Sequence, residues 1–299
     1  MSTITRIKGT IDNNNLPILT SEGLVPYWYG NFCNLMEDAG YTLSTNQKNA
    51  VKAFVESLSE ADIIGKVISM FPFVGNTETP NAAKVPIIGE TMFEFADGFD
   101  GFLLSDTEIQ GINKIPGGAL VFSDISTEHC FNIGLSFIKE DTADLSTNQL
   151  FLRFYKKIDN VDTFNYYVQY SPDNKLRIVY TPSGSAIGFQ NKIAQMSDEG
   201  NVYMLGGLGD ETSEKIYNRY AQINSSWYDA AAADDTTRRY QYDTNFASAT
   251  LATNNMNTDV FRGITSLTFF NDILTKQEAV GYMQSLKTLM QALGKEVSV

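Results

Sequence analysis

Apolar residues recur with helical spacing between Leu43 and Gly75, and this stretch organises the prediction for the whole chain. Ser44 and Gln47 form a capping-box pair, in which the hydroxyl serves the N3 amide and the glutamine reaches back. The stripe that follows predicts an amphipathic helix, and it consists of Val51, Phe54, Val55 and Leu58. A second short stripe comes next, at Ile63, Ile64, Val67 and Ile68. Pro72 stops the helical pattern. We therefore predict a helical hairpin or a kinked helix over residues 41–75, here called the helical neck.

From Thr91 onward the apolar period changes from that of a helix to that of a strand. The candidate strands are Thr91–Phe95, Ala119–Ser123, Cys130–Ile138, Gln149–Tyr155, Phe164–Tyr170, Lys175–Tyr180, Asn201–Leu205 and Val260–Phe270. The stretch Asp210–Asn257 is less regular, and we predict long connections there with a further strand near Arg239–Tyr242. Many short strands without alternating helices predict a mainly β fold, an antiparallel β-sandwich or jelly roll.

The chain ends on a second clean helical pattern. Thr275 and Glu278 form another capping box, and Gly294 is placed as the residue that follows the helix. The apolar stripe between them consists of Ala279, Val280, Met283, Leu286 and Met290. The predicted organisation is an N-terminal arm over residues 1–40, the helical neck over 41–75, and a sandwich with a closing helix over 76–299.

The arm carries apolar and aromatic groups without a periodicity long enough for a core of its own. Two interpretations stay open: the arm folds back on its own domain, or it becomes ordered against another chain. On the second interpretation we expect a homo-oligomer, a dimer or a trimer. The candidate interchain contact residues are Leu16, Ile18, Leu19, Tyr27, Trp28 and Tyr29.

Charge and composition narrow the classes of partner. The net charge is −13 and the pI is about 4.5, which argues against nucleic acid or an anionic membrane as partner. No apolar run approaches the roughly 18 residues of a membrane span, and no signal peptide is recognised, so we expect synthesis in a cytoplasm. Cys33 and Cys130 are expected to be free thiols, although the sequence leaves a bridge between them open.

The closing strand and helix carry a resemblance to a known family. Gly263–Leu267, Phe269–Asn271, Leu274–Thr275 and Glu278 resemble the last strand and helix of concanavalin-like (laminin-G type) jelly rolls. The resemblance implies a concanavalin-like β-sandwich, a fold shared by many lectins and enzymes.

The helical neck adds a second resemblance, through Asn46–Gln47, Ala50–Val51, Lys66 and Phe71–Gly75. These residues look like the segment that precedes such a jelly roll in tailed-bacteriophage virion appendage or fibre proteins, the crAss-like group among them. The ending Leu293–Val297 is similar to their terminus. This likeness covers residues 41–299 and implies a non-enzymatic structural component of a virion, in contact with other head or tail proteins. The alternative is a carbohydrate-binding, lectin-like module that recognises host glycans.

A search for catalytic groups points away from an enzyme. Glycosidases on this sandwich use a Glu-x-Asp-x-x-Glu strand, and no such string occurs. Asp106 and Glu108 form the nearest local carboxylate pair, and we expect a solvated loop there. His129 is the only histidine, which leaves no His-based zinc site or catalytic triad. No cofactor or metal is predicted.

Trp227 and Tyr228 are the candidate glycan platform, because aromatic rings at a sandwich rim can stack against sugars. The competing interpretation, favoured by the general burial of aromatic residues, is that the pair plugs one end of the sandwich.

Overall fold

The computed structural model describes residues 21–75, 78–90, 92–95, 103–104, 109–110, 119–122, 132–139, 149–158, 161–171, 175–182, 189–195, 200–207, 219–224, 226–229, 248–252, 261–272 and 274–296. The described helices are α1 Ser21–Asp38, α2 Thr45–Glu60 and α3 Lys276–Ala292, with 3₁₀ turns at Ile64–Lys66 and Pro80–Lys84. The described strands are β1 Val67–Phe71, β2 Glu94–Phe95, β3 Leu103–Leu104, β4 Ile109–Gln110, β5 Ala119–Phe122, β6 Asn132–Lys139, β7 Gln149–Ile158, β8 Val161–Ser171, β9 Lys175–Pro182, β10 Phe189–Gln195, β11 Gly200–Gly207, β12 Arg219–Ile223, β13 Ser226–Asp229, β14 Ser248–Ala252 and β15 Phe261–Phe270.

These strands form two antiparallel sheets, which confirms the predicted β-sandwich. The first sheet has the order β13-β12-β11-β6-β15-β4-β3, and β1 also pairs with β15. The second sheet has the order β10-β9-β8-β7-β14-β5-β2. Neighbours in each sheet are often distant in sequence, as in a jelly roll. The fold is a concanavalin-like sandwich with helices added to one sheet.

Helix α2 confirms the first half of the helical neck. Its N-cap is Ser44, whose hydroxyl accepts from the Gln47 amide while the Gln47 side chain accepts from the Ser44 amide. The whole predicted stripe is buried, namely Val51, Phe54, Val55 and Leu58. The prediction of a second helical segment in the neck is wrong, because Val67–Phe71 forms strand β1. The prediction failed because a strand buried on both faces is apolar throughout and matches a short helical stripe equally well.

Residues 21–40 of the predicted arm fold back on the domain. Ser21–Asp38 is helix α1, and its Phe32 and Met36 are fully buried in one cluster with α2 and α3. This helix is not predicted from the sequence because Pro26 and two glycines interrupt it, although its buried side chains do repeat every three to four residues. Residues 1–20, with Leu16, Ile18 and Leu19, lie outside the described residues.

The irregular stretch Asp210–Asn257 also needs correction. It contains β12, β13 and β14 rather than connections alone, and β12 with β13 forms a hairpin around Asn224, whose φ is +52°. The strand expected near Arg239–Tyr242 lies outside the described residues. Strands of four or five residues are too short to show a clear alternation.

The first sheet is buried on both faces. On one face Met70, Tyr203, Leu205 and Phe270 join the cluster formed by the three helices. The opposite face carries other fully buried side chains, among them Leu135, Met204 and Leu267. A tight aromatic group lies near this inner face, with Phe71, Phe73 and Phe93 ring centroids 5.5–6.4 Å apart.

Helix α3 lies close to the sheet because one strand position lacks a side chain. A Cβ placed on Gly134 would lie 2.5 Å from the Tyr282 hydroxyl. That hydroxyl donates a 2.7 Å hydrogen bond to Thr268 Oγ1, and burial raises the pKa of Tyr282. The Thr275–Glu278 capping box and Gly294 at φ +72° are confirmed. The prediction that Val280 belongs to the buried apolar stripe of α3 is wrong, because its side chain is 37% exposed.

A core substitution tests the packing of α2. Phe54→Ala is expected to lower the free energy of unfolding by about 3–5 kcal/mol, because the ring is buried between α2 and its neighbours. Val280→Ala, on the exposed side of α3, is the control and is expected to change it by no more than about 0.5 kcal/mol. Denaturant titration measures both. A loss below about 1 kcal/mol for Phe54→Ala would show that the ring is not part of the core.

Candidate functional site

The residues that carry the family resemblance meet at one junction between the helices and the sandwich. Lys66 Nζ lies 2.8 Å from Glu278 Oε1 and 3.3 Å from Asp272 Oδ2. The Asn271 amide donates to the Lys66 carbonyl at 2.8 Å. Glu278 Oε2 also accepts from the Thr275 amide. The neck lysine and the closing Asn-x-x-Leu-Thr-x-x-Glu segment therefore form one structural unit, although they are far apart in sequence.

Both charges of this junction are partly shielded from water. Lys66 and Glu278 side chains are 23% and 20% exposed. Burial by itself would raise the pKa of Glu278, but hydrogen bonds from Lys66 and Thr275 and the lysine charge together hold it below its usual value. Burial opposes the charge of Lys66, yet Glu278 and Asp272 raise the pKa of the lysine. The pair is therefore ionised at neutral pH and connects the strand β1 segment to the start of α3.

The end of the chain makes a second connection. Lys295 is buried, and its Nζ donates a 3.1 Å hydrogen bond to the Phe73 carbonyl, in a turn where Phe73 has φ +50°. The neighbouring Glu296 accepts a hydrogen bond from the Tyr203 hydroxyl on β11. In the sequence, this terminus stands out only by its similarity to the terminus of phage appendage proteins. Its role is to hold the β1 turn and the first sheet to the last turn of α3.

Trp227 lies on β13, at the end of the first sheet. Its ring stacks on Tyr220 with the centroids 5.6 Å apart and the planes at 27°, and it packs half-buried against the helix-side cluster. The indole Nε1–H is buried and has no hydrogen-bond partner among the residues that the structure describes. Tyr228 pairs with Ala221 across the hairpin, and its side chain lies outside the described residues. Trp227 therefore lies on a strand, where its ring is held in place by stacking on Tyr220, and not in a loop.

The aromatic part of the arm is divided between core and surface. Trp28 and Tyr29 are half-buried against the helix cluster, whereas Tyr27 is 46% exposed. Tyr27 and Trp28 pack edge to face with centroids 4.7 Å apart. Tyr27 and Val280 are the exposed large hydrophobic side chains in the described part of the chain.

The residues for which a catalytic role was argued against stay untested. Asp106, Glu108, His129 and Cys130 all lie outside the described residues, whereas Cys33 is a free thiol on α1. Within the described ranges, no group of three or more His, Cys, Asp or Glu side chains is placed to hold a metal ion. No described helix is both long and apolar enough to cross a membrane.

Comparison with known proteins gives distant structural likeness alone. No family model and no curated protein matches the chain. The CBM40 module of the Ruminococcus gnavus IT-sialidase bound to α2,6 sialyllactose is 8% identical, with 52% of this chain and 85% of that chain covered and a TM-score of 0.35. Trypanosoma rangeli sialidase in complex with sialic acid is 9% identical, with 80% of this chain and 39% of that chain covered and a TM-score of 0.49. The likeness to the sialidase thus spans about two fifths of that protein, and neither similarity assigns an activity or a ligand to this chain.

The junction makes a prediction about pH. Glu278→Gln keeps the capping box, since a glutamine oxygen also accepts from Thr275, but it removes the charge that pairs with Lys66. We expect a loss of about 1–2 kcal/mol at neutral pH. Because the folded-state pKa of Glu278 is depressed, its contribution is complete above its usual value of 4.5 and disappears as the pH falls through the folded-state pKa.

Urea titrations of wild type and Glu278→Gln from pH 7 to pH 3 measure this difference. Glu56→Gln is the control, because Glu56 forms an exposed ion pair with Lys52 on α2 at 3.7 Å. A gap between wild type and Glu278→Gln that stays constant down to pH 3 would contradict the assignment.

Proposed function

We propose that this chain is a non-enzymatic carbohydrate-binding protein whose β-sandwich carries the ligand surface. The observation that carries the proposal is Trp227, a half-buried ring fixed on β13 by its stacking on Tyr220. Sugars present apolar C–H faces that pack on aromatic rings. A ring already held by its neighbours loses little conformational entropy when a ligand covers it.

The strand setting of Trp227 supports this role. Tyr220 and Trp227 lie on the same face of the β12–β13 hairpin, and the backbone of the hairpin is tied to the body. The Asn224 carbonyl accepts a 2.9 Å hydrogen bond from Lys287 of α3, and the Asn201 amide donates to Asn224 Oδ1. The platform is therefore held by β11, β12 and α3 together, which suits recognition without a large rearrangement.

Binding to a glycan panel tests the proposal, and the panel includes bacterial surface polysaccharides and the sialyllactose that the CBM40 module binds. We expect wild type to bind a subset of the panel and to leave the bound glycan uncleaved. Trp227→Ala is expected to weaken that binding by at least about tenfold, because the stacking surface is lost. Trp227→Phe keeps a ring at the position and sacrifices no protein hydrogen bond, so it reports binding in a folded protein.

Tyr27→Ala is the matched control, since it removes an exposed aromatic side chain from helix α1 rather than from the β12–β13 hairpin. Absence of binding across the panel, or binding that Trp227→Ala leaves unchanged, would contradict the glycan platform. Turnover of a glycan that a single Asp or Glu substitution abolishes would contradict the non-enzymatic part of the proposal.

A second candidate function is a structural role in a bacteriophage virion, as a head or tail appendage in contact with other virion proteins. It is supported by the junction, where Lys66, from the neck segment that resembles phage appendage proteins, contacts Asn271 and Glu278 of the closing segment that resembles a concanavalin-like jelly roll. The two candidates are compatible, because an appendage can carry a glycan-binding module that contacts the host surface.

Mass spectrometry of purified particles, with antibody labelling of intact ones, tests the virion role. We expect several copies of the chain per particle and label on the outside of the head or tail. Its absence from particles that infect normally would rule out this role and leave the glycan test unaffected.

A further inference from the structure

Two polar side chains meet at the turn of the β12–β13 hairpin, next to the Trp227 ring. Gln222 is directly opposite Trp227 in the hairpin register, which places the two side chains next to each other on the helix side of the first sheet. The Asn224 carbonyl accepts from Gln222 Nε2 at 3.4 Å and from Lys287 Nζ of α3 at 2.9 Å. An amide and an ammonium group therefore share one carbonyl oxygen beside the aromatic ring.

Lys287 brings a positive charge to this turn without a carboxylate to offset it. Lys48, Lys52 and Lys66 each form an ion pair with a glutamate, at 2.8–3.7 Å. Among the residues that the structure describes, the half-buried Lys287 forms no such pair, and its hydrogen-bond partner is the Asn224 carbonyl. An ammonium group can donate further hydrogen bonds. Because charges shielded from water are normally paired, this one is suited to bind an anionic group of a ligand.

Gln222 also has hydrogen-bonding capacity left for a ligand. Its side chain is half-buried, and its long bond to the Asn224 carbonyl occupies one N–H of the amide. In the described part of the chain, the amide oxygen of Gln222 accepts no hydrogen bond. A side-chain amide can donate to one sugar hydroxyl and accept from another. A sugar stacked on Trp227 therefore has an amide at its edge and a positive charge next to that amide.

We propose that this surface selects acidic glycans, with Lys287 binding the carboxylate of a sugar and Gln222 binding its hydroxyl groups. The inference rests on the proposed function, because it names the class of glycan that the Trp227 platform takes. A chain with a net charge of −13 repels anionic ligands, so selection of an acidic sugar requires a local cation at the binding surface. The hydrogen bond between ammonium and carboxylate is charge-assisted and therefore stronger than one between neutral groups.

Oligosaccharides in two charge states test the proposal. The probes are oligogalacturonides and sialyllactose, each with its carboxylate either free or converted to the neutral methyl ester. Isothermal titration calorimetry on the full-length protein is expected to show that the free acid of at least one probe binds at least about tenfold more tightly than its ester. This ratio is expected to fall as NaCl is added, because salt screens the interaction between the charges.

Substitutions at the turn separate the charge from the platform. Lys287→Gln removes the charge and keeps an N–H donor, so the ratio of acid to ester affinity is expected to fall to about one, with the ester affinity changed by no more than about twofold. Lys287→Arg keeps the charge and is expected to keep the preference for the acid. Gln222→Glu places a carboxylate beside the ring and is expected to weaken binding of the acid more than of the ester. Lys52→Gln removes an exposed lysine charge from α2 and is the control, for which we expect no change in the ratio.

The possible failures of the inference and of the proposed function are distinct. Wild-type protein that binds the esters as tightly as the acids, or neutral glycans alone, would overturn the inference and leave the Trp227 platform in place. A preference for the acid that both Lys287→Gln and Gln222→Glu leave intact would also overturn it. Absence of binding to every glycan would contradict the platform itself, and the inference with it.

Discussion

The burial of the first sheet on both faces is the constraint on which the rest of this molecule depends. Strands β11 and β15 place Tyr203, Leu205 and Phe270 in the helix-side cluster, whereas Leu135, Met204 and Leu267 of β6, β11 and β15 are buried on the opposite face. Tyr282 fits against this sheet because Gly134 lacks a side chain at the point of closest approach. In proteins most helical stability comes from tertiary packing rather than from the helix itself. Here α3 packs on the sheet, α2 packs on α3, and α1 packs on α2. The helices are therefore part of the core rather than a separate attachment.

Sequence patterns predicted the elements whose signals are local. Both capping boxes could be found because the partner residues are three apart, and the long strands could be found because turns bound them. Strand β1 could not be separated from a helix, since burial on both faces removes the alternation that identifies a strand. Helix α1 was hidden by Pro26, and its stability comes from contact with α2 rather than from its own residues.

The functional surfaces were predictable in kind but not in arrangement. Trp227 could be selected as an aromatic candidate, yet its stacking on Tyr220 depends on the register of the β12–β13 hairpin. Lys66 and Glu278 each belong to a segment that resembles a known family, and this much can be read from the sequence. Their contact with each other follows from the pairing of β1 with β15. Contacts between distant segments are set by topology, which local patterns do not encode.

The central claim is that the helix layer and the sandwich form one cooperative unit through the first sheet. Native-state hydrogen exchange on the full-length chain, at one protein concentration, tests it most directly. The account predicts that amides in the middle of α2, α3, β6 and β15 exchange through the same global opening, with similar free energies and similar dependence on denaturant. If the α2 and α3 amides instead exchange at a lower free energy while β6 and β15 stay protected, the helices are a separate unit and the claim is wrong.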